Sequence, residues 1–394
     1  MNIAAASQIA GQASMATAPA RPYVLFEDGR ADAGLYLFKE PTEIIVAHRQ
    51  DEVAPALARM QSATNNRQYL AGYAAYELGH ALEPKLARLA SGSSRTPLLR
   101  FGVFGKPQII ADLPTVVAPI ELAMRPAWSA ADYAQRFAAA REYILAGDIY
   151  QLNLTFPLHG RYDGDPLALY RALRLRQPVA FGGLVALGDE TIISLSPEVF
   201  FETQGQEIRV RPMKGTAKRG YLPFEDMARA QYLNEDIKNR AENLMIVDLL
   251  RNDLSRLSEI GSVKVTDLFT VETYPTLHQM TSGVEARLRP GVTIAQLFAG
   301  LFPCGSITGA PKIRAMEIIR QLEDTPRGVY CGSLGVIAPN GDVRFNVAIR
   351  TLTLYADQSL VCNVGSAIVA DSQAQEEYAE CLIKAKFLTG ESAL

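Results

Sequence analysis

Two blocks of short, alternating apolar segments constrain the fold of this chain more than any other feature. The first runs Ala180–Leu187, Thr191–Leu195, Val199–Thr203 and Gln206–Arg211, with Gly188-Asp189 and Gly205 at its turns. The second runs Gly332–Ile337, Val343–Tyr355 and Leu360–Val369, joined by Pro339-Asn340-Gly341-Asp342 and Ala356-Asp357-Gln358. Period-two alternation between tight turns is the pattern of antiparallel strands joined as meanders. Helical periodicity falls elsewhere: Asp51–Gln61, Ala130–Ala146 behind an N-capping Ser129, Pro166–Gln177, 222–258, Pro311–Glu323 and about Ala374–Leu388. Strands in runs and helices in runs, without strand–helix–strand alternation, predict an α+β fold of two packed antiparallel sheets with helices on the outside.

The chain divides into an Ala/Ser/Gln-rich stretch over 1–20, read as a loose tail, and a small N-terminal region over 21–110. A Pro-rich stretch from Pro107 to Pro126 reads as a linker, and the main domain covers 127–390. A formal net charge of -3 leaves no basic stripe, which argues against nucleic acid as a partner. No apolar run reaches the ~18 residues a membrane helix needs. The four cysteines have no CxxC spacing and read as reduced thiols of a cytoplasmic protein, not as a zinc site or a disulfide framework.

Several short patterns could carry chemistry. Arg211-Pro212-Met213-Lys214-Gly215-Thr216 puts a lysine at the end of a strand that its flanks would bury. Taken alone these six residues read as a solvated turn; a buried amine there would serve as nucleophile or anion contact. Glu242 precedes an apolar helical run, and Glu377, Glu380 and Lys384 share one face of the last helix at i, i+3 and i+7. One carboxylate from each of two helices is what Mg²⁺ accepts, with water and an anionic substrate completing its shell; surface ion pairs with Lys238, Arg240 and Lys384 are the other explanation. Gly305 to Lys312 is a glycine-rich turn leading into a helix and could receive a small oxyanion on its backbone N–H groups. It lacks the GxxxxGK[ST] of a nucleotide loop. Arg350, in the segment Val347–Leu352, is either a solvated strand arginine or a carboxylate clamp. Glu198, in Ser196-Pro197-Glu198, is either an edge-strand glutamate or an acid–base group.

Read together, GDIYQLNLTF, SLSPEVFFE, RPMKGTAKRG, NRAENLMIVDLLRNDLSRL, FPCGSITGAPKIRAMEII, YCGSLG, AIRTL and IVADSQAQEEYAECLIKA resemble the chorismate-utilising enzymes, in that family's order and over residues 130–388. The resemblance implies a chorismate-binding fold with Mg²⁺ on Glu242 and Glu380 and Glu377 as an outer acid. It implies that Arg350, Tyr330 and the backbone at Gly365, Ser366 and Ala367 meet the enolpyruvyl carboxylate. Lys384 would neutralise a ligand carboxylate, His278 would face the substrate, and Thr308, Gly309 and Ala310 would line its ring. At Lys214 the pattern resembles the aminodeoxychorismate synthase branch, whereas anthranilate synthases carry alanine there. Isochorismate and salicylate synthases carry a water-activating lysine where this chain has Gln151, and an amide cannot take a proton from water. The implied mechanism is attack of Lys214 on the ring with Glu198 protonating the leaving hydroxyl. The resemblance also implies a glutaminase partner subunit as the source of ammonia, and no cysteine of this chain has a nucleophile-elbow context. An anthranilate synthase-type subunit and a non-catalytic chorismate-binding module are the alternatives. Three departures stand out: Asn239 in place of an acid, Ser366-Ala367 in place of a more glycine-rich loop, and Leu25–Gly29 without the Leu-Leu-x-Ser of a tryptophan pocket. That last departure predicts no such regulatory site.

Overall fold

A computed structural model describes Met15 and residues 18–28, 34–90, 94–113, 120–274 and 277–389. Two sheets, each of ten strands and antiparallel throughout, form its centre. In the first, the spatial order is Gly309–Ala310, Gln151–Arg161, Ser359–Ile368, Thr351–Leu354, Thr191–Ser196, Phe181–Ala186, Tyr23–Glu27, Leu35–Lys39 and Gln108–Ile110. In the second it is Met213–Lys218, Leu277–Arg287, Glu207–Val210, Val199–Gln204, Val343–Asn346, Ser333–Ile337, Tyr69–Ala74, Leu99–Phe104 and Glu43–Ala47. Arg125–Pro126 pairs with Gln151–Arg161, and Lys264–Thr273 with Leu277–Arg287. The predicted α+β class with two antiparallel sheets is what the chain adopts.

Strands such as Tyr23–Glu27, Thr191–Ser196 and Ser333–Ile337 are buried along their whole length. This is why their apolar runs are nearly continuous rather than strictly alternating. Helix starts follow local chemistry. Ser129 Oγ accepts from Asp132 N at 3.2 Å while Asp132 returns a bond to Ser129 N at 2.9 Å, which closes a capping box on Ala130–Leu145.

Several sequence readings need correction. The two meanders are not confined to one sheet each. The chain leaves the first sheet after Ser196 and enters the second at Val199, and it makes the reverse passage between Asn346 and Thr351. The stretch 343–355 is therefore two strands in different sheets. The helical stretch 222–258 is also two elements, Pro223–Glu235 and Ile237–Ser255, because Asp236 caps the second through Asn239 N at 2.8 Å. The linker 107–126 contributes an edge strand, Gln108–Ile110, and its residues 114–119 lie outside the described ones. Of the tail over 1–20 only Met15 and residues 18–20 are described, and Met15 is buried against the core.

Candidate active site

The two passages between the sheets meet, and their backbones are bonded to each other. Val347 N donates to Glu198 O at 3.0 Å, Leu195 N to Arg350 O at 3.0 Å, and Ser196 Oγ to Val347 O at 2.6 Å. The same corner holds Tyr330 through its neighbour, since Cys331 N donates to Ala348 O at 2.9 Å. Sequence periodicity read Arg350 as part of an alternating strand. It lies in the turn between strands instead, with a left-handed φ of 49°, a conformation that non-glycine residues adopt rarely.

Glu198 is buried in this corner. Ser306 Oγ donates to its Oε1 at 2.9 Å, and the Met213 N–H is directed at the same carboxylate. Burial dominates over these donors and over nearby Lys214, so the carboxyl is pushed up to about 7. A carboxyl titrating there can both give and take a proton at neutral pH.

Lys214 is not at the end of the preceding strand, as its sequence context suggested. It stands inside a strand of its own, Met213–Lys218, where the pairing with Leu277–Arg287 shifts register between Met213 and Thr216. Gly215 makes the irregularity, with φ of 85°. A side chain there would come within 2.8 Å of Asn239 Oδ1. Lys214 as a residue keeps some exposed surface, while protein atoms crowd its amine on all sides. Burial lowers its basicity, and the charge of Lys384 adds to that, against Glu242, Glu198 and Glu380. The neutral, nucleophilic form is thereby favoured.

Glu242 is half-buried on the helix Ile237–Ser255. Its carboxyl is raised first by burial and further by Glu377 and Glu380, while Lys214 and Lys238 oppose this. Glu380 is exposed and pairs with Lys384 at 2.7 Å, and Lys384 Nζ also donates to Gly365 O at 3.0 Å. Among the described residues no three His, Cys, Asp or Glu side chains are grouped closely enough to grip one ion. The donor chemistry still suits a hard divalent cation, because two or three carboxylates raise one another's affinity for positive charge and Mg²⁺ needs only one or two of them. Asn239, at the position of the missing acid, spends its N–H and its amide on Asp236 Oδ2, both at 2.8 Å.

Other expected residues vary in how they face this group. Arg350 is half-buried with its basicity lowered by burial alone, and among the described residues no carboxylate pairs with it. Tyr330 is buried, and burial raises its phenol well above the usual range. Gly365, Ser366 and Ala367 lie inside the strand Ser359–Ile368, not after it. A Cβ at Gly365 would meet Thr155 Cγ2 at 2.6 Å, so packing against the adjacent strand already requires glycine. Ser366 Oγ is bonded to Tyr133 Oη at 2.8 Å. Thr308 is buried, its hydroxyl donating to Gly305 O at 3.1 Å, and Gly309–Ala310 pairs with Gln151–Leu152. His278 is not brought into the group with a free nitrogen. Its Nε2 contacts Asp226 Oδ1 at 2.8 Å and its Nδ1 contacts Thr273 Oγ1 at 3.0 Å. Gln151 is wholly buried, with neither polar atom of its side-chain amide partnered among the described residues.

Ser306 had no role in the sequence reading. It was visible only as part of a glycine-rich turn, and nothing in the pattern linked it to Glu198, 108 residues away. Lys312, the last residue of that turn, is taken up structurally: its Nζ reaches Asp253 Oδ2 at 2.6 Å and two backbone carbonyls. A groove of about 950 Å³ between Gln50–Asn65, Leu78–Leu82 and Ile294–Leu301 contains none of these residues.

Comparison with known proteins bears on this arrangement. The family model for chorismate binding enzymes matches residues 113–390. Aminodeoxychorismate synthase component 1 of Escherichia coli is 43% identical over 252 residues, 64% of this chain and 55% of that protein. Anthranilate synthase component 1 of Neisseria meningitidis serogroup B is 40% identical over 246 residues, 62% of this chain and 50% of that protein. The chain thus spans rather more than half the length of the first of these relatives. Anthranilate synthase component I from Streptococcus pneumoniae superposes with a TM-score of 0.75 at 25% identity, covering 97% of this chain and 95% of that one. The menaquinone-specific isochorismate synthase of Escherichia coli shares the fold, with a TM-score of 0.73 at 16% identity over 93% of this chain and 88% of that one. With most of its length matched by the family model, its two sheets shared with solved relatives and its sequence motifs in the same order, the chain belongs to the chorismate-binding enzymes.

Proposed function

We propose that this chain is the synthase subunit of an aminodeoxychorismate synthase, converting chorismate and ammonia to 4-amino-4-deoxychorismate. The observation that carries the reading is Lys214: a crowded amine of lowered basicity, set beside a buried carboxyl, Glu198, that titrates near 7. That pair sets an amine of lowered basicity, a better nucleophile for it, beside a group that can donate a proton.

The neutral Lys214 amine adds to ring C2, the ring double bond shifts, and the C4–O bond breaks. Glu198 gives its proton to the departing hydroxyl, which leaves as water. Ammonia then adds at C4, the double bond shifts back, and the C2–N bond to lysine breaks. The proton shed by the new ammonium returns to Glu198, so the sum is chorismate plus ammonia to product plus water. The enolpyruvyl ether is untouched throughout. Arg350 meets a substrate carboxylate, supported by a guanidinium that no carboxylate pairs with among the described residues; Tyr330 and the Gly365–Ala367 backbone flank it, and Thr308, Gly309 and Ala310 line the ring. Lys384 adds positive charge beside Glu380. Glu242 and Glu380, together with Glu377, would hold Mg²⁺, and the bound ion would supply charge that balances the ring carboxylate. His278, the expected substrate-facing histidine, is given no proton transfer in these steps, and its ring is held by Asp226 and Thr273.

The ammonia comes from a glutamine-hydrolysing partner subunit in the cytoplasm, a compartment consistent with four unpaired buried cysteines. No helix among the described residues is long and apolar enough to cross a membrane.

Product analysis tests the reading. Incubated with chorismate, Mg²⁺ and ammonium, the protein should yield an aminated product that retains its enolpyruvyl group. Release of anthranilate and pyruvate by this chain alone would place it with the anthranilate synthases, and binding without turnover in the presence of a glutaminase would make it a chorismate-binding module.

A further inference from the structure

Besides the Met213 N–H, the Glu198 carboxylate is held by a side chain to which nothing above gives a part in the reaction. Ser306 is buried and donates to Glu198 Oε1 at 2.9 Å. On its other side, Cys304 Sγ lies 3.2 Å from Ser306 Oγ. The Ser306 backbone is itself held, since Asn153 Nδ2 donates to Ser306 O at 3.1 Å from the first sheet. The backbone of Glu198 is fixed as well: its N–H donates to Ser196 Oγ at 3.2 Å and its carbonyl accepts from Val347 N at 3.0 Å.

A hydroxyl has one proton and can be given in one direction at a time. Two acceptors compete for the Ser306 proton, a carboxyl oxygen and a sulfur, and the carboxyl oxygen is much the stronger. The Cys304 thiol is buried and pushed up to about 12, so it keeps its own proton at neutral pH and has Ser306 Oγ as an acceptor. The chain of donors therefore runs from Cys304 to Ser306 to Glu198 Oε1. With Oε1 occupied as an acceptor, the ionisable proton belongs on Oε2.

We propose that Ser306 is the positioning residue of Glu198, holding Oε1 through a one-directional hydrogen-bond chain from Cys304 so that the carboxyl offers its proton from Oε2. The proposal rests on the reading of Glu198 as the acid of the reaction. Among the described residues, the titratable groups that face Glu198 are Lys214 from the strand Met213–Lys218 and Cys304 from the loop before Gly305.

The test is the pH dependence of ammonia-driven turnover by the whole chain, with chorismate and Mg²⁺, for the parent and for Ser306→Ala. An acid must be protonated to act, so kcat falls as pH rises through the pKa of Glu198. Removing a donor to its anion makes the carboxyl hold its proton more tightly. The alkaline limb of the Ser306→Ala profile should move up by about one pH unit, with kcat at neutral pH reduced about tenfold and KM for chorismate nearly unchanged. On a Glu198→Gln background the Ser306→Ala change should have no further effect, because it acts only through that carboxyl. An unmoved limb, or an equal loss on both backgrounds, overturns the positioning role. If Ser306→Ala does not fold, Cys304→Ala serves in its place: it frees the Ser306 hydroxyl to turn, so the limb should move up by a smaller amount, and an unmoved limb overturns the chain. A different result marks failure of the underlying reading, namely parent-like turnover by Glu198→Gln.

Discussion

The corner where the chain passes between the sheets and the pair of acidic helices beside it are built in opposite ways. At the corner, Glu198, Ser306 and the turn carrying Arg350 are held by several hydrogen bonds each and are fixed without any ligand. On the helices, Glu242, Glu377 and Glu380 repel one another, Glu380 is exposed, and no three of the acidic groups are gathered on one point. The difference teaches a division of labour: proton and nucleophile chemistry needs groups placed in advance, whereas a cation can gather carboxylates that have no other reason to converge.

Changes at the corner should have the largest effects. Glu198→Gln should lower kcat by roughly 10²–10⁴-fold, the usual contribution of a general acid, measured with saturating ammonium. The same substitution should stabilise the fold above neutrality. The folded pKa of Glu198 is raised to about 7 from the ordinary 4.5. Its stabilising contribution is therefore full below the unfolded value and is lost as pH rises through about 7, on the order of 3 kcal/mol. Melting curves of Glu198→Gln and parent should converge as pH falls from 8 toward 5. A constant gap would break the claim that the corner holds a buried, protonatable acid.

At the helices, function and stability should separate differently. Glu242→Gln should relieve like-charge repulsion and leave the metal-free melting temperature unchanged or slightly higher. It should also remove most of the melting shift that Mg²⁺ gives the parent. Chelation should stop turnover, and added Mg²⁺ should restore it. A parent protein whose melting ignores Mg²⁺ would contradict a cation-gathered site. Gly215→Ala sits between the regions: with φ of 85° and Asn239 Oδ1 2.8 Å away, it should cost about 1–2 kcal/mol of stability and displace Lys214, seen as a lowered kcat. Smallest of all, Lys384→Met removes an exposed pair with Glu380. It should change stability by less than about 1 kcal/mol while raising KM for chorismate.

Sequence carried the architecture well because its strands and helices have separate periodicities. Taken by themselves Lys214, Glu198, Glu242, Glu380 and Arg350 also read as ordinary turn, strand or surface groups, and only the resemblance of the motifs together to a known family gave them roles. Sequence misread how the corner is made. Val343–Tyr355 keeps its apolar alternation straight through the passage between sheets, so nothing local marked the break that puts Arg350 in a left-handed turn. His278 shows the same limit from the other side. A histidine in a strand has no pattern that says whether its ring is free, and here Asp226 and Thr273 take both nitrogens. Ser306 was invisible because its partner is set by the meeting of the two sheets, not by spacing.

The central claim is that Lys214, beside the corner, becomes covalently attached to the substrate. Mass spectrometry of the intact protein, mixed with chorismate and Mg²⁺ in the absence of ammonia, tests it directly. The expected result is an adduct of chorismate less one water, mapped by proteolysis to the peptide containing Lys214, absent from Lys214→Ala and discharged as aminated product when ammonium is added. A protein that turns over chorismate and ammonia without ever showing that adduct, or a Lys214→Ala variant with full activity at low ammonia, would contradict it.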